Sequence, residues 1–199
     1  MDWLHLIVLG VTAFAATNVD DSLILLLFFG DRRYRIRHVF AGQVLGIGLL
    51  VLISLLGALL ALAVPDRWVG LLGLLPVILG LRALVDRRRG PDGENPALET
   101  AVSGDTPGWR RAAAVAGVTL ANGGDNIGVY TPLFASRTPG HTALLLVVFA
   151  GMLTVWLFGM LYLARRSVIA GRVQWIGRAL FPYALIVLGL VILFESFAR

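Results

Sequence analysis

Six stretches of this chain are apolar over about the 20 residues that a helix needs to cross a bilayer. They are Trp3–Phe29, Val39–Val64, Trp68–Val85, Ala112–Ala135, Thr142–Ala164 and Trp175–Phe197. No other property limits the fold so tightly. Hydrophobic residues make up 58% and charged residues 15% of the 199, whereas a soluble domain carries about 25% charge. With a mean hydropathy of +0.83, the chain has no aqueous surface to present, and lipid becomes its solvent. The first stretch reads as a span and not as a cleavable signal: Asp2 precedes it where a signal would be basic, and no Ala-x-Ala site ends it.

Basic residues set the orientation. All are arginine, and they sit between apolar runs, so a sequence pI near 10.7 reflects membrane topology and does not point to nucleic acid. Arg32, Arg33, Arg35 and Arg37 follow the first span. Arg82, Arg87, Arg88, Arg89, Arg110 and Arg111 surround the third loop, and Arg165, Arg166, Arg172 and Arg178 follow the fifth span; Arg67, Arg137 and Arg199 are left for the other side. Arginine-rich loops stay cytoplasmic, which places both termini outside. Residues 86–109 contain the run from Gly90 to Pro96, rich in Pro, Gly and acid, and read as a flexible cytoplasmic linker between segments 1–85 and 110–199. Asp92, Glu94 and Glu99 there read as a solvated acidic loop.

Three spans on each side of the linker force the second half to enter the membrane upside down. The halves share order as well as number. Asn18-x-x-Asp21 in span one matches Asn122-x-x-Asp125 in span four, 104 residues on. Phe40–Gln43 matches Phe149–Met152, Trp68 matches Trp175, and Pro76 matches Pro182. The expected architecture is therefore all-α: six transmembrane helices as two inverted three-helix repeats, with interrupted first and fourth helices. Transporters of this build bind substrate near mid-membrane, at the repeat interface.

Asp20, Asp21 and Asp125 are the carboxylates inside spans, with Glu195 near the last end. Each costs about 2.5–3.5 kcal/mol to place there, and no arginine lies inside spans one or four to pair with it. A bound cation or proton is the natural partner. The chain has no cysteine, so a metal must be held by oxygen or imidazole. If each motif is helical, Asn18 and Asp21 share a face, as do Asn122 and Asp125, and the two pairs together offer the oxygens a divalent cation prefers. Asn126 joins this set. Thr17, Ser22, Gln43, Tyr130 and Thr131 are candidates for the pathway or for supporting hydrogen bonds. Gly123 and Gly124 weaken the helix locally or allow close packing. His5, His38 and His141 lie at span ends and read as interfacial.

At Ala16–Asp21 and at Asn122–Pro132 the chain resembles the cadmium-resistance transporter family of the lysine-exporter superfamily. The likeness extends over essentially the whole sequence, including Phe40–Gln43 and Leu71–Pro76. It implies efflux of cadmium, with zinc or another divalent ion as alternatives, across a bacterial plasma membrane, along a path lined by Asn18, Asp20, Asp21, Asn122, Asp125 and Asn126. An all-oxygen site would discriminate weakly against manganese or calcium. Exchange of the metal for protons follows from carboxylates that either ligand can occupy. Two rival functions are export of an amino acid or quaternary ammonium solute, and intramembrane aspartyl proteolysis; the latter's Gly-x-Gly-Asp signature needs glycine where Asn122 stands. The partners expected are thus a metal ion, protons and lipid, with no nucleic acid and no resident cofactor; a homo-oligomer is compatible with such a chain.

Overall fold

A computed structural model describes residues 3–19, 21–31, 33–61, 71–72, 74–89, 107–166, 180 and 182–194. The described residues are all-helical in their regular structure, with no strand. The helices are α1 (Trp3–Asn18), α2 (Asp21–Gly30), α3 (Ile36–Ala61), α4 (Leu74–Arg89), α5 (Gly108–Asn122), α6 (Gly124–Ala135), α7 (Pro139–Ala164) and α8 (Pro182–Phe194). α3 and α7, 26 residues each with hydropathies of 2.7 and 2.5, are long and apolar enough to cross a membrane, and α1 with α2 makes a third candidate bent by 63°. α8 is apolar but shorter. Of the expected third and sixth spans, Trp68 and Trp175 lie outside the described residues, as do 90–106 of the linker and Glu195.

Interruptions fall where the expected first and fourth spans carry polar residues. α1 stops at Asn18 and α2 starts at Asp21, while α5 stops at Asn122 and α6 starts at Gly124. The helical face expected to carry each Asn-x-x-Asp motif is therefore not formed. Each motif straddles a break, with its asparagine ending one helix and its aspartate in the first turn of the next.

Packing exchanges partners between the halves. α3 runs parallel to α5 and α6: Gly42 lies against Ala112 and Val115, Gly46 against Ala116 and Thr119, Leu50 against Gly123, and Gly57 against Thr131. α1 runs parallel to α7, with Trp3 on His141, Gly10 on Leu145 and Val148, and Phe14 on Phe149 and Trp156. Each half's second long helix thus lies along the other half's broken one. Helices associate in lipid through close packing, and the glycines of α3 permit it: a Cβ on Gly46 would come within 2.7 Å of Thr119. α4 meets α8 the same way, at Gly80 against Pro182 and Ile186. The two matched Phe-Ala-Gly runs enter unlike surroundings. Phe149 packs with Phe14, Tyr130 and Phe134, whereas Phe40 packs with Phe29 and Phe158.

The short α2–α3 connection is organised by its own side chains. Asp31 accepts hydrogen bonds from Arg33 N at 2.9 Å and from Arg33 Nε at 3.2 Å. The backbone bond first, and then the guanidinium, hold its carboxyl below the usual carboxylate range. His38 Nδ1 accepts from Arg35 N at 3.4 Å, reaching back to cap the start of α3, while its Nε2 side abuts Gly108.

Candidate functional site

The broken helices bring polar side chains of both halves together in the interior. Thr17, Asn18 and Tyr130 are each 0% exposed. Thr17 Oγ1 and Tyr130 Oη are 2.8 Å apart, and Asn18 Nδ2 donates to Tyr130 Oη at 3.1 Å and to Asn126 Oδ1 at 3.5 Å. Asn122 Nδ2 donates to Asp21 Oδ1 at 3.4 Å. These four hydrogen bonds cross between α1–α2 and α5–α6, along two segments that run antiparallel.

The Asn18 amide is oriented unambiguously. Its nitrogen also donates to the Phe14 carbonyl at 2.9 Å, an oxygen that can only accept. With the nitrogen so committed, Oδ1 points elsewhere, and among the described residues it accepts no hydrogen bond. A buried carbonyl oxygen left in this way costs roughly 1–3 kcal/mol. It is a donor atom for a cation, held in place beforehand by a phenol, a second amide and a helix end.

The two acids occupy matching positions. Asp21 is the first residue of α2, and Asp125 lies in the first turn of α6, where the helix dipole favours negative charge. Asp125 Oδ1 accepts from Asn126 N at 2.8 Å and from Asn126 Nδ2 at 3.4 Å. Asp21 is 3% exposed. Asp20 lies outside the described residues. Among the described residues no three His, Cys, Asp or Glu side chains gather into a metal-holding group, so a cation here would need amide oxygens beside the carboxylates.

The supporting residues divide. Ser22 Oγ donates to Asn18 O at 3.3 Å and so satisfies the end of α1. Tyr130 is the hub of the network: Thr17 and Asn18 bond its hydroxyl, and Phe149 lies against its ring with centroids 4.6 Å apart. Gln43 is joined to Thr119, whose Oγ1 donates to Gln43 Oε1 at 2.6 Å, and this pair ties α3 to α5. Thr131 faces Gly57 of α3. Gly123 is filled by Leu50, whereas Gly124 has nothing within 4 Å, so of the two only Gly123 serves close packing. Its φ of −75° asks nothing special of the backbone. Thr119 and Phe149 were not legible as site neighbours, because their roles depend on which helix faces them.

Removing the Tyr130 hydroxyl tests the network. Tyr130→Phe keeps the ring in its aromatic cluster and deletes the atom shared by Thr17 and Asn18. A loss of about 1–2 kcal/mol is expected, read as a lower melting temperature of the purified chain in detergent.

The sequence model of the family described as cadmium resistance transporter matches residues 14–198, a range that contains every residue of this network. Comparison with curated proteins returns no match, and neither does comparison with solved structures. The chain belongs to the cadmium resistance transporter family.

Proposed function

We propose that the chain is a secondary transporter that exports a divalent metal cation, cadmium or one similar to it, in exchange for protons. Six spans in two inverted repeats, with both termini outside, form its frame. The cation path runs through Asn18, Asp20, Asp21, Asn122, Asp125 and Asn126. The observation that carries the reading is the Asn18 amide, fully buried, its nitrogen bound and its oxygen without a donor among the described residues, next to two helix breaks that each present an aspartate. Family membership supports transport of cadmium. The parallel pairing of each long helix with the opposite half's broken helix is what inverted repeats would produce.

Binding from the cytoplasm would engage ionised carboxylates together with amide oxygens. Rocking of the halves would then expose the site outside, where protons replace the metal. Burial favours the neutral acid and a bound cation favours the ionised one, so metal and proton compete for the same oxygens.

Proteoliposomes holding the purified chain test this. An acidic interior should drive cadmium uptake, and a protonophore should abolish it. Flux unaffected by the gradient would remove proton exchange from the scheme. Because the donors are all hard oxygens, equimolar manganese is expected to cut cadmium flux by roughly half; an unchanged flux would mean that a softer ligand set operates.

A further inference from the structure

Where the α2–α3 connection meets the first turn of α5, two buried hydrogen-bond donors have no acceptor among the described residues. Tyr34 is 7% exposed, and among the described residues its hydroxyl has no hydrogen-bond partner. The Arg111 Nε is also buried and also lacks one. Val115 connects the two positions. Val115, one turn beyond Arg111 on the same face, packs in one cluster with Tyr34, Phe28 and Val39. The Arg111 charge acts on Tyr34, on Asp31 and on His38.

Among the described residues the surroundings are short of anions. Asp31 is the acid at this corner, and its oxygens are taken by Arg33. Arg35 and Arg37 are exposed beside it. α5, 15 residues long, begins here with no side-chain cap, so its first N–H groups and the positive end of its dipole face the same corner. The level in the membrane is marked as well. Trp109 is 68% exposed with the Arg110 guanidinium 5.3 Å from its ring centroid, an arrangement suited to the headgroup region.

We propose that this corner binds the phosphate of an anionic phospholipid, with Tyr34 Oη and Arg111 Nε donating to its oxygens. A phosphodiester supplies the acceptors that both donors lack, and its acyl chains would lie along the exposed apolar faces of α3 and α5. Arginine pockets at membrane level commonly hold such headgroups. The inference is independent of which cation is carried.

The test is the melting temperature of the full chain in neutral detergent, titrated with phosphatidylglycerol, with phosphatidylcholine, or with inorganic phosphate. Phosphatidylglycerol alone should stabilise the wild type. Arg111→Gln should raise the concentration for half effect roughly tenfold or more, and Tyr34→Phe several-fold. Without anionic lipid, Tyr34→Phe should be at least as stable as wild type, since it removes an unsatisfied buried group. A drop there would show that the hydroxyl already has a protein partner and would overturn the proposal. So would equal stabilisation by phosphatidylcholine or by inorganic phosphate, or variants that respond to phosphatidylglycerol as the wild type does.

Discussion

Asp21→Asn and Asp125→Asn should each lower cation flux by about 100-fold or more, while leaving the fold intact. Asparagine matches aspartate in shape and still accepts the hydrogen bond that Asn122 gives to Asp21 Oδ1. What it lacks is charge. Removing one partner of a buried charge pair costs about 3–5 kcal/mol, and each 1.4 kcal/mol is tenfold. The same substitutions should leave thermal stability without metal unchanged or slightly raised, because an ionised acid in lipid is itself costly. That opposite sign separates a site residue from a structural one. Two variants transporting at the wild-type rate would remove both acids from the pathway.

Gly42→Ala should destabilise the protein by about 2–3 kcal/mol, in the upper part of the range for overfilled cores. A Cβ at Gly42 would run into the Ala112 carbonyl oxygen and lie 2.6 Å from Val115 Cβ. The first of these is backbone and cannot turn aside, so α3 and α5 must separate. Gly48, six residues on in the same helix, is the control, since it is exposed and has nothing within 4 Å. There alanine should stabilise by about 0.5–1 kcal/mol, the ordinary gain in a helix interior. Melting curves of the two variants should therefore move in opposite directions. Equal shifts would mean that α3 does not lie on α5 as described.

Much of this was legible in the sequence for a plain reason. In lipid every polar residue is expensive, so those that remain stand out, and Asn18, Asp21, Asn122, Asp125 and Asn126 were visible as exceptions within apolar runs. Their duplication also led to the expectation that the two Asn-x-x-Asp segments come together, and hydrogen bonds run from Asn18 to Asn126 and from Asn122 to Asp21. The local conformation was harder to read. Spacing of three suggests a shared helical face, yet both motifs sit across breaks, since a helix end bristling with side-chain acceptors and donors can satisfy its own backbone. Ser22 closing the end of α1 is one such case.

Pairings across helices were hidden for another reason. Apolar periodicity along α3 and α7 is nearly featureless, because lipid and neighbouring helix are equally apolar, and no stripe reveals which face meets which partner. Gln43 could thus be seen as polar without its partner Thr119, and Tyr130 could be seen beside the site without its place at the centre of it. The matched Phe40 and Phe149 show the opposite error: similar letters in order, set in different surroundings.

A structure determined with cadmium bound, using the metal's anomalous scattering to locate it, puts the central idea to the most direct test. The peak is expected at about 2.3–2.6 Å from carboxylate oxygens of Asp21 and Asp125 and from Asn18 Oδ1, the range for hard-oxygen coordination. A peak confined to the acidic stretch between Asp92 and Glu99, or to the membrane surface, with none between the two helix breaks, would contradict it.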